Sequence, residues 1–469
     1  MGPAPHVGPV RSADRPGRTL SAMRYLPNTE GDRRRMLDVI GAGSIEDLLA
    51  RVPAKARLAR PLDVGPALAE TDLVRHLREL SAKNADADGY ACFLGGGAYD
   101  HYVPSPINHL ISRGEFFTAY TPYQPEASQG TLRSIYEYQT MIAELTGMDV
   151  ANASIYDGAS SLAEAALMAR AVTGRGEIVL AAGVNPRYRQ VAATYGAGSG
   201  LRLRQAPAPN GVLDVEAART LCGDKTAALV VQSPNFYGCV EDVAGAAEIA
   251  HAAGALLIVV ADPVNLGVLE APGRLGADVV VGEGQGLGVP LSYGGPYLGV
   301  FAAKQEFVRR MPGRLVGATV DRDGHRGFVL TLQTREQHIR RDKATSNICT
   351  NVALCALMAT IYLATLGKQG LVRVGELSAA KAHYAADRLT AIPGVSLRFE
   401  APFFKEFALR LPKPPERAAA RLARSKILAG VPLKSFDRTL GDCLLVAVTE
   451  KRTKAEIDQL AEALAVAVA

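Results

Sequence analysis

An aspartate at the end of an apolar run, and the glycine-rich segment after it, are the residues of this chain best placed to do chemistry. Asp262 follows LLIVVA, a run typical of a buried parallel strand. A carboxylate at the carboxyl end of such a strand lies where open α/β sheets bind ligands. In pyridoxal-phosphate enzymes an aspartate of this kind pairs with the pyridinium nitrogen. We therefore interpret Asp262 as one half of a cofactor site.

The other half of such a site is a lysine that forms a Schiff base. The segment GEGQGLG (282–288) occupies the expected place, and no lysine lies between Arg274 and Phe301. Lys304 is the nearest candidate, but it follows the strand YLGVFAA, which separates it from Asp262 by a whole crossing of the sheet. Whether the missing lysine is an accident or a property of this chain decides how the site is interpreted.

A second candidate group lies in the segment 93–130, which is rich in glycine, proline and aromatic residues. This composition excludes long regular structure, and such loops are usually pinned against another surface. Tyr120, Tyr123 and Glu126 directly precede a helix predicted over 128–146, which places their polar ends near its positive N-terminus. The alternative is that the aromatic residues only pack an irregular arm onto the core.

A third candidate is the helix start in YDGASSLAEA. Gly158, Ala159, Ser160 and Ser161 combine small side chains with free N–H groups at a helix N-terminus, which is the form of an anion cradle. The alternative, which we favour, is that these residues only cap the helix.

The elements that position these residues alternate between strand and helix from about residue 150 to 304. This spacing predicts an α/β fold with a large, doubly wound, mostly parallel sheet and helices on both faces. From Val352 the sequence is apolar nearly all round, which predicts a long buried linking helix, and a smaller α+β domain follows. We expect a disordered extension over 1–22, a helical arm over 23–90, the large domain over 91–350, and the linking helix with the small domain over 351–469.

Composition excludes several classes of function. The chain has 469 residues and a net charge of +5 from scattered basic residues that acids nearly balance, so no nucleic-acid partner is expected. No apolar run is long enough for a membrane span, and the N-terminus lacks a secretory signal, so we expect a cytoplasmic protein. The six widely spaced cysteines predict free thiols. His101 and His109 lack a third ligand at metal spacing, so no metal site is predicted.

Several longer motifs carry a resemblance to a known family. They are FLGGGAYDHYVPSPINHL, EFFTAYTPYQPEASQGTLRSIYEYQTMIAELTGMDVANAS, YDGASSLAEA, SPNFYGCVED, GADVVVGEGQGLGVPLSYGGPYLGVFA and RDKATSNICTN. In these segments the chain resembles the P-protein of the glycine cleavage system, glycine dehydrogenase (decarboxylating), in its two-subunit form. Within that form it is similar to the first subunit, which lacks the Schiff-base lysine. The C-terminal domain matches in layout more than in motif, and residues 1–22 lie outside the resemblance.

The resemblance implies a fold, a reaction and partners. The fold is that of aspartate aminotransferase, fold type I of the pyridoxal-phosphate-dependent enzymes. The assembly is an α2β2 heterotetramer in which a lysine-bearing subunit 2 holds the pyridoxal phosphate. Glycine is decarboxylated with that cofactor as the electron sink, and the aminomethyl group passes to the lipoyl arm of H-protein.

The resemblance also assigns positions in this sequence. The Schiff-base lysine falls on Gly286 and the histidine before it on Gln285, so we expect no covalently bound cofactor. Asp262 and Ser160 are then vestiges of a cofactor or anion pocket, or, for Asp262, a residue that caps its strand. The residues expected to reach the partner's glycine pocket and exclude water from it are Tyr99, Asp100, His101, Tyr120, Tyr123 and Glu126.

Two rival interpretations remain. A self-sufficient pyridoxal-phosphate lyase or desulfurase of the same fold needs a Schiff-base lysine and, for sulfur chemistry, an exposed mobile cysteine; neither is visible in the sequence. A scaffold or regulatory chain that only stabilises its partner has no need to keep the loop from Tyr99 to Glu126 both polar and aromatic.

Overall fold

The computed structural model describes residues 27–58, 60 and 62–469. The chain falls into two compact units, one ending at Ala82 and the other running from Lys83 to Ala469. The extension expected over 1–22 lies outside the described residues, so its disorder stays a prediction.

The first unit is helical, as the sequence predicts. Thr29 caps helix α1 (Glu30–Ile40) through a reciprocal capping box with Asp32. Helices α2 (Ile45–Leu48) and α3 (Glu70–Ser81) follow. None of the described residues of this unit is buried. The described part of the arm therefore has no core of its own.

The second unit alternates strands and helices up to residue 303 and continues as a mixed α+β arrangement. In chain order its elements are β1 (Ala91–Cys92), α4 (Ser105–Ile111), α5 (Gly114–Phe117), α6 (Gln129–Thr146), β2 (Val150–Ala151), α7 (Gly158–Thr173), β3 (Glu177–Ala181), α8 (Pro186–Ser199), β4 (Arg202–Ala206), α9 (Val215–Leu221), β5 (Thr226–Ser233), α10 (Val243–Ala252), β6 (Leu256–Ala261), β7 (Val279–Glu283), β8 (Gly299–Ala303), β9 (Leu315–Val320), β10 (Arg326–Thr331), α11 (Gln337–Arg340), α12 (Ala353–Thr390), β11 (Ser396–Leu397), β12 (Glu406–Arg410), α13 (Pro415–Ala423), β13 (Ile427–Leu428), β14 (Val431–Pro432), β15 (Cys443–Ala447) and α14 (Lys454–Val468).

A seven-stranded sheet forms the centre of this unit, in the order β2-β8-β7-β6-β5-β3-β4. Strands β3 to β7 pair in parallel, and β8 is antiparallel to both its neighbours. Strands β5 to β7 are almost wholly buried under helices such as α7 and α10, which confirms the predicted fold class. Because parallel strands end at one edge, Asp262 after β6 and Glu283 at the end of β7 share that edge.

The predicted linking helix is α12, and it is broken at Gly367, where φ is 60° and ψ is −174°. Its first half places Cys355 and Tyr362 in the core of the large sheet, and its second half places Ala385 and Leu389 in the core of the small domain. By length and composition alone this helix could cross a membrane. Its burial against two cores is the pattern of a core helix.

The small domain contains a four-stranded antiparallel sheet in the order β11-β12-β15-β14. β1 pairs with β13, so residues 91 and 92, which the sequence assigned to the large domain, join the small one. The segment that separates the two domains forms the hairpin of β9 and β10. The sequence predicts no strand there, because glycine and charged residues interrupt the alternation.

Candidate functional site

A lysine lies against Asp262 after all, and it comes from the small domain. Lys405, directly before β12, places its Nζ 2.5 Å from Oδ2 of Asp262. The Lys405 side chain is only 2% exposed. Because the two residues are far apart in sequence, the residues that follow Asp262 do not predict this lysine. The available signal was a lysine standing next to Glu406 at the start of an apolar strand.

The ammonium of Lys405 is also the centre of a hydrogen-bonded chain. Nζ lies 2.8 Å from Nε2 of His101, and Nδ1 of His101 lies 2.6 Å from Oε2 of Glu450. An ammonium can only donate, so Nε2 accepts and the ring proton resides on Nδ1. Burial favours the protonated form of Glu450, but the bonds from His101 and from the Tyr102 N–H outweigh it and lower the pKa of Glu450 to about 2.

Tyr99 and Glu406 complete the wall around Lys405. Nζ lies 3.9 Å from the centre of the Tyr99 ring, a cation–π contact. The Tyr99 hydroxyl donates to Glu406 at 2.9 Å, and the Gly96 N–H donates to the other carboxyl oxygen at 2.7 Å. Burial raises the pKa of Glu406 to about 7 although both bonds oppose it. Gln285 fixes this loop by accepting from the Tyr99 N–H and donating to its carbonyl.

The helix start that resembles an anion cradle is filled by Glu283. Its carboxyl oxygens accept from the N–H groups of Gly158 at 3.0 Å, Gln285 at 3.0 Å and Leu298 at 2.9 Å. Burial raises the pKa of Glu283 to about 8 against these bonds. The Ser160 N–H donates to the capping side chain of the residue before the helix, so Ser160 takes part in a helix cap.

Gly286, the position that the resemblance assigns to the Schiff-base lysine, has no room for a side chain. A Cβ there would lie 2.9 Å from Cγ2 of Val264 and 3.1 Å from Cδ2 of His101. The imidazole of His101 therefore stands where a side chain of residue 286 would begin. Lys304, the other candidate, pairs with Asp278 at the opposite edge of the sheet, where β7 begins.

The space between these groups is small. A cavity of about 30 Å³ remains, and Asp262, Glu283 and Lys405 all line it. That is room for about one or two water molecules, whereas ligand pockets typically measure about 300 Å³ or more. The residues present therefore do not fit a pyridoxal phosphate, because both polar ends of the pocket are engaged and the space between them is filled.

Of the second group of predicted site residues, Tyr120 lines a different cavity. Tyr120 is 85% exposed and, with Phe117 and Thr350, lines a cavity of about 210 Å³. Nearby, the Tyr123 hydroxyl accepts from the buried Arg314, whose other nitrogen donates to Thr350. Glu126 is exposed. This group is held by the segment that leads into α12 and faces solvent.

The structure does not bring the six predicted pocket residues together. Tyr99 and His101 surround Lys405, and Asp100 pairs with Lys451 and Arg452, both at 2.8 Å. Asp100 and His101 are buried in their own chain. Their polar atoms bond within the chain, and the expectation that these three reach a neighbouring subunit stays a prediction. Of the six, Tyr120, Tyr123 and Glu126 are exposed.

The structure bears on two sites that the sequence considered, a metal pair at His101 and His109 and a desulfurase cysteine. Both ring nitrogens of His101 are engaged with Lys405 and Glu450, so His101 offers no ligand beside His109. The six cysteines are unpaired, and Cys349 is exposed. The sequence shows no exposed cysteine of the kind a desulfurase needs, but the structure places Cys349 at the surface. A desulfurase also needs a Schiff-base lysine, and Gly286 stands at that position.

The sheet order, the aspartate at the end of β6 and the small α+β domain define a fold class, fold type I of the pyridoxal-phosphate-dependent enzymes. A solved structure of Lactobacillus brevis glutamate decarboxylase covers 90% of this chain and 97% of its own, with a TM-score of 0.66 and 14% identity, which shows the fold alone. An apo structure of cysteine desulfurase from Thermococcus onnurineus NA1 covers 86% of this chain and 99% of its own at a TM-score of 0.60 and 16% identity.

Closer relatives define the family. The profile described as Glycine cleavage system P-protein matches residues 23–464. A crystal structure of glycine decarboxylase (P-protein) of the glycine cleavage system, in inhibitor-bound form, has a TM-score of 0.85 and 47% identity over 94% of this chain and 99% of that one. "Probable glycine dehydrogenase (decarboxylating) subunit 1" of Chloroherpeton thalassium is 55% identical over 94% of this chain and 99% of its own length, and that of Desulforamulus reducens is 52% identical. The chain belongs to the glycine cleavage system P-protein family.

Proposed function

We propose that this chain is subunit 1 of a two-subunit glycine dehydrogenase (decarboxylating) and that it is inactive without a lysine-bearing subunit 2. The observation that carries the proposal is Gly286, where His101 and Val264 leave no space for the lysine that the reaction needs. The relatives at 52–55% identity over 94% of the chain are named subunit 1. Pyridoxal phosphate held by the partner supplies the electron sink for decarboxylation.

Two surfaces support a role in assembly. The first is the loop with Tyr120 and Phe117, whose rings are exposed beside a cavity. Exposed aromatic side chains next to a cavity are typical of protein interfaces. We propose that Tyr120, with Tyr123 and Glu126, contacts the partner near its glycine pocket and keeps water out.

The second surface is one face of α3 in the arm. Leu73, Leu77 and Leu80 lie on this face and are all exposed. Because the described residues of the arm bury nothing, an apolar face of this size needs a cover. We propose that the partner subunit provides it in an α2β2 assembly, that lipoylated H-protein receives the aminomethyl group, and that the complex works in the cytoplasm.

Reconstitution tests the proposal. The chain, its lysine-bearing homologue and lipoylated H-protein are assayed singly and together for carbon dioxide release from glycine. We expect release only when both subunits are present, together with co-elution of the two on size exclusion. Carbon dioxide release by this chain without its partner would contradict the proposal, as would full activity of the partner in its absence.

A scaffold without contact to substrate is the second candidate. It is favoured by the burial of Asp100 and His101 and by the hydrogen bonds that Tyr99 and His101 make within their own chain, since these contacts stabilise the fold. The two candidates differ in what they expect of Tyr120: a scaffold tolerates its loss once the complex has assembled.

A further inference from the structure

We propose that Lys405 and Glu283 permanently occupy the two polar ends of the ancestral cofactor pocket, so that this chain closes its own site and folds, assembles and functions with no cofactor of its own. The proposal concerns the pocket of the isolated chain and does not depend on the proposed reaction. It follows from the partners of Asp262, from the partners of the α7 N-terminus and from the space between them.

The first end is the carboxylate of Asp262. A buried carboxylate needs a cation or several donors to be stable. In a cofactor enzyme the pyridinium nitrogen supplies that cation. Here the ammonium of Lys405 lies 2.5 Å away, and its other contacts are His101 and the Tyr99 ring. The ammonium thus already forms an ion pair with Asp262, and it takes the place that a second cation would need beside this carboxylate.

The second end is the N-terminus of α7, a sixteen-residue helix. A helix start attracts an anionic or hydrogen-bond-accepting group, which for a cofactor is its phosphate. Here Glu283 accepts from the Gly158 N–H, while Asp157 accepts from the Ser160 N–H. Glu283 also accepts from two loop N–H groups, so it is held in place from three sides. The donors that a phosphate would need are engaged.

The middle of the pocket leaves little space as well. Asp262, Glu283 and Lys405 line a single cavity of about 30 Å³, so the two occupied ends face the same small space. Because Lys405 and Glu406 belong to the small domain and Asp262 and Glu283 to the large one, the closure also joins the two domains. We name this set of residues, Asp262, Lys405, His101, Glu450 and Glu283, the closing cluster.

Because the closing cluster occupies both ends of the pocket, we expect neither pyridoxal phosphate nor inorganic phosphate to change the thermal stability of the isolated chain. The full chain is titrated with pyridoxal phosphate and, separately, with inorganic phosphate, and thermal unfolding is followed. We expect no saturable rise in Tm for the wild-type chain. In the variant Lys405→Ala/Glu283→Ala both ends are vacated, and we expect each probe to raise Tm by a few degrees with saturation. Borohydride reduction and peptide mapping separate this binding from reaction with surface lysines.

The matched control is Lys304→Ala, which breaks a lysine–aspartate pair at the opposite edge of the sheet. It should behave as the wild type toward both probes. Should the double variant not fold, Glu283→Ala alone keeps the Lys405 pair and is titrated with phosphate; stabilisation supports the proposal. Saturable binding of one pyridoxal phosphate per wild-type chain would overturn it, and so would folded variants that bind neither probe.

Discussion

At the scale of single residues, Lys405 is the group on which the closing cluster depends. Its ammonium touches a carboxylate, an imidazole and an aromatic ring, and water reaches almost none of it. All three partners, Asp262, His101 and Tyr99, belong to the large domain or its preceding loop. One side chain therefore links segments that are far apart along the chain, and its removal leaves Asp262, whose side chain is 17% exposed, without a cation.

Replacing Lys405 tests that dependence. Lys405→Met keeps the length of the side chain and removes the charge, so we expect the free energy of unfolding to fall by about 3–5 kcal/mol. Denaturant unfolding measures it. Lys304→Met is the matched control and should cost less, because that lysine is 36% exposed. Adding Asp262→Asn to Lys405→Met should recover part of the loss. Equal, small losses of stability in Lys405→Met and Lys304→Met would show that the fold does not depend on Lys405 in this way.

Glu283 makes the stability of this chain depend on pH. Its pKa is raised in the folded state from the ordinary 4.5 to about 8, so the folded state holds the proton more tightly than the unfolded state. This contribution is present below pH 4.5 and is lost as the pH rises toward 8. Glu406, with a pKa raised to about 7, acts in the same direction.

The variant Glu283→Gln isolates this effect, because the amide does not titrate. We expect the free energy of unfolding of the wild-type chain to fall more steeply than that of the variant as the pH rises toward 8, the folded-state pKa. Denaturant unfolding across that range measures both slopes, with Glu270→Gln, at an exposed carboxyl group, as the control. Parallel profiles for wild type and Glu283→Gln would show that Glu283 is ionised throughout.

At the scale of elements, the helices of the arm and the helix α12 have opposite characters. α12 is buried in two cores in turn, and its break at Gly367 lets it turn from one to the other. α3 has good helix-forming residues but buries none of them. A helix of this length is marginal in isolation, so its apolar face must be stabilised by packing. We infer that this packing is part of the subunit interface.

Introducing a charge on the apolar face of α3 tests whether this face contacts the partner subunit. Leu77→Asp places a carboxylate in the centre of the face, and we expect affinity for the partner subunit to fall by roughly tenfold or more. Unfolding of the second unit should not change. Analytical ultracentrifugation of the mixed subunits measures the affinity, and Glu79→Ala on the same helix is the matched control. If Leu77→Asp binds the partner subunit with wild-type affinity, the α3 face is not part of the subunit interface.

At the scale of the whole molecule, two cavities lined by the described residues differ in size. The one around Asp262 measures about 30 Å³, and the one beside Tyr120 measures about 210 Å³. A subunit without a Schiff-base lysine can still shape a neighbour's pocket, and the larger cavity, which an exposed aromatic ring lines, is better suited to this role. The proposed contribution to glycine decarboxylation therefore rests on the Tyr120 loop.

The variant Tyr120→Ala distinguishes a chain that contributes to the partner's glycine pocket from one that only stabilises the partner. Because the ring is 85% exposed, we expect the stability of the free chain to change by about 0.5 kcal/mol or less. In the reconstituted enzyme we expect kcat/KM for glycine to fall by about tenfold or more. Tyr102→Ala removes another exposed ring and should leave turnover unchanged. Normal turnover by an assembled Tyr120→Ala enzyme would favour the scaffold.

The sequence by itself determined the elements and the loss of the lysine. Apolar runs and their alternation with helices depend on neighbouring residues, so the parallel sheet, the position of Asp262 at a strand end and the linking helix could all be predicted. The glycine at position 286, where the family motif has the lysine, can likewise be read from the sequence alone. The helix start at Gly158 was recognised, and its capping role follows from residues within three positions.

Only the tertiary structure decided what fills the site. Lys405 reaches His101 across 304 positions of the chain, and Glu450 reaches it across 349. No local pattern encodes such pairs, because they form only when the small domain closes on the large one. Local patterns also do not show which aromatic residues of the segment 93–130 face inward. In the structure Tyr99 bonds to Glu406, whereas Tyr120 is exposed to solvent. Local composition sets what a segment can form, and long-range packing sets which of its side chains remain free to act.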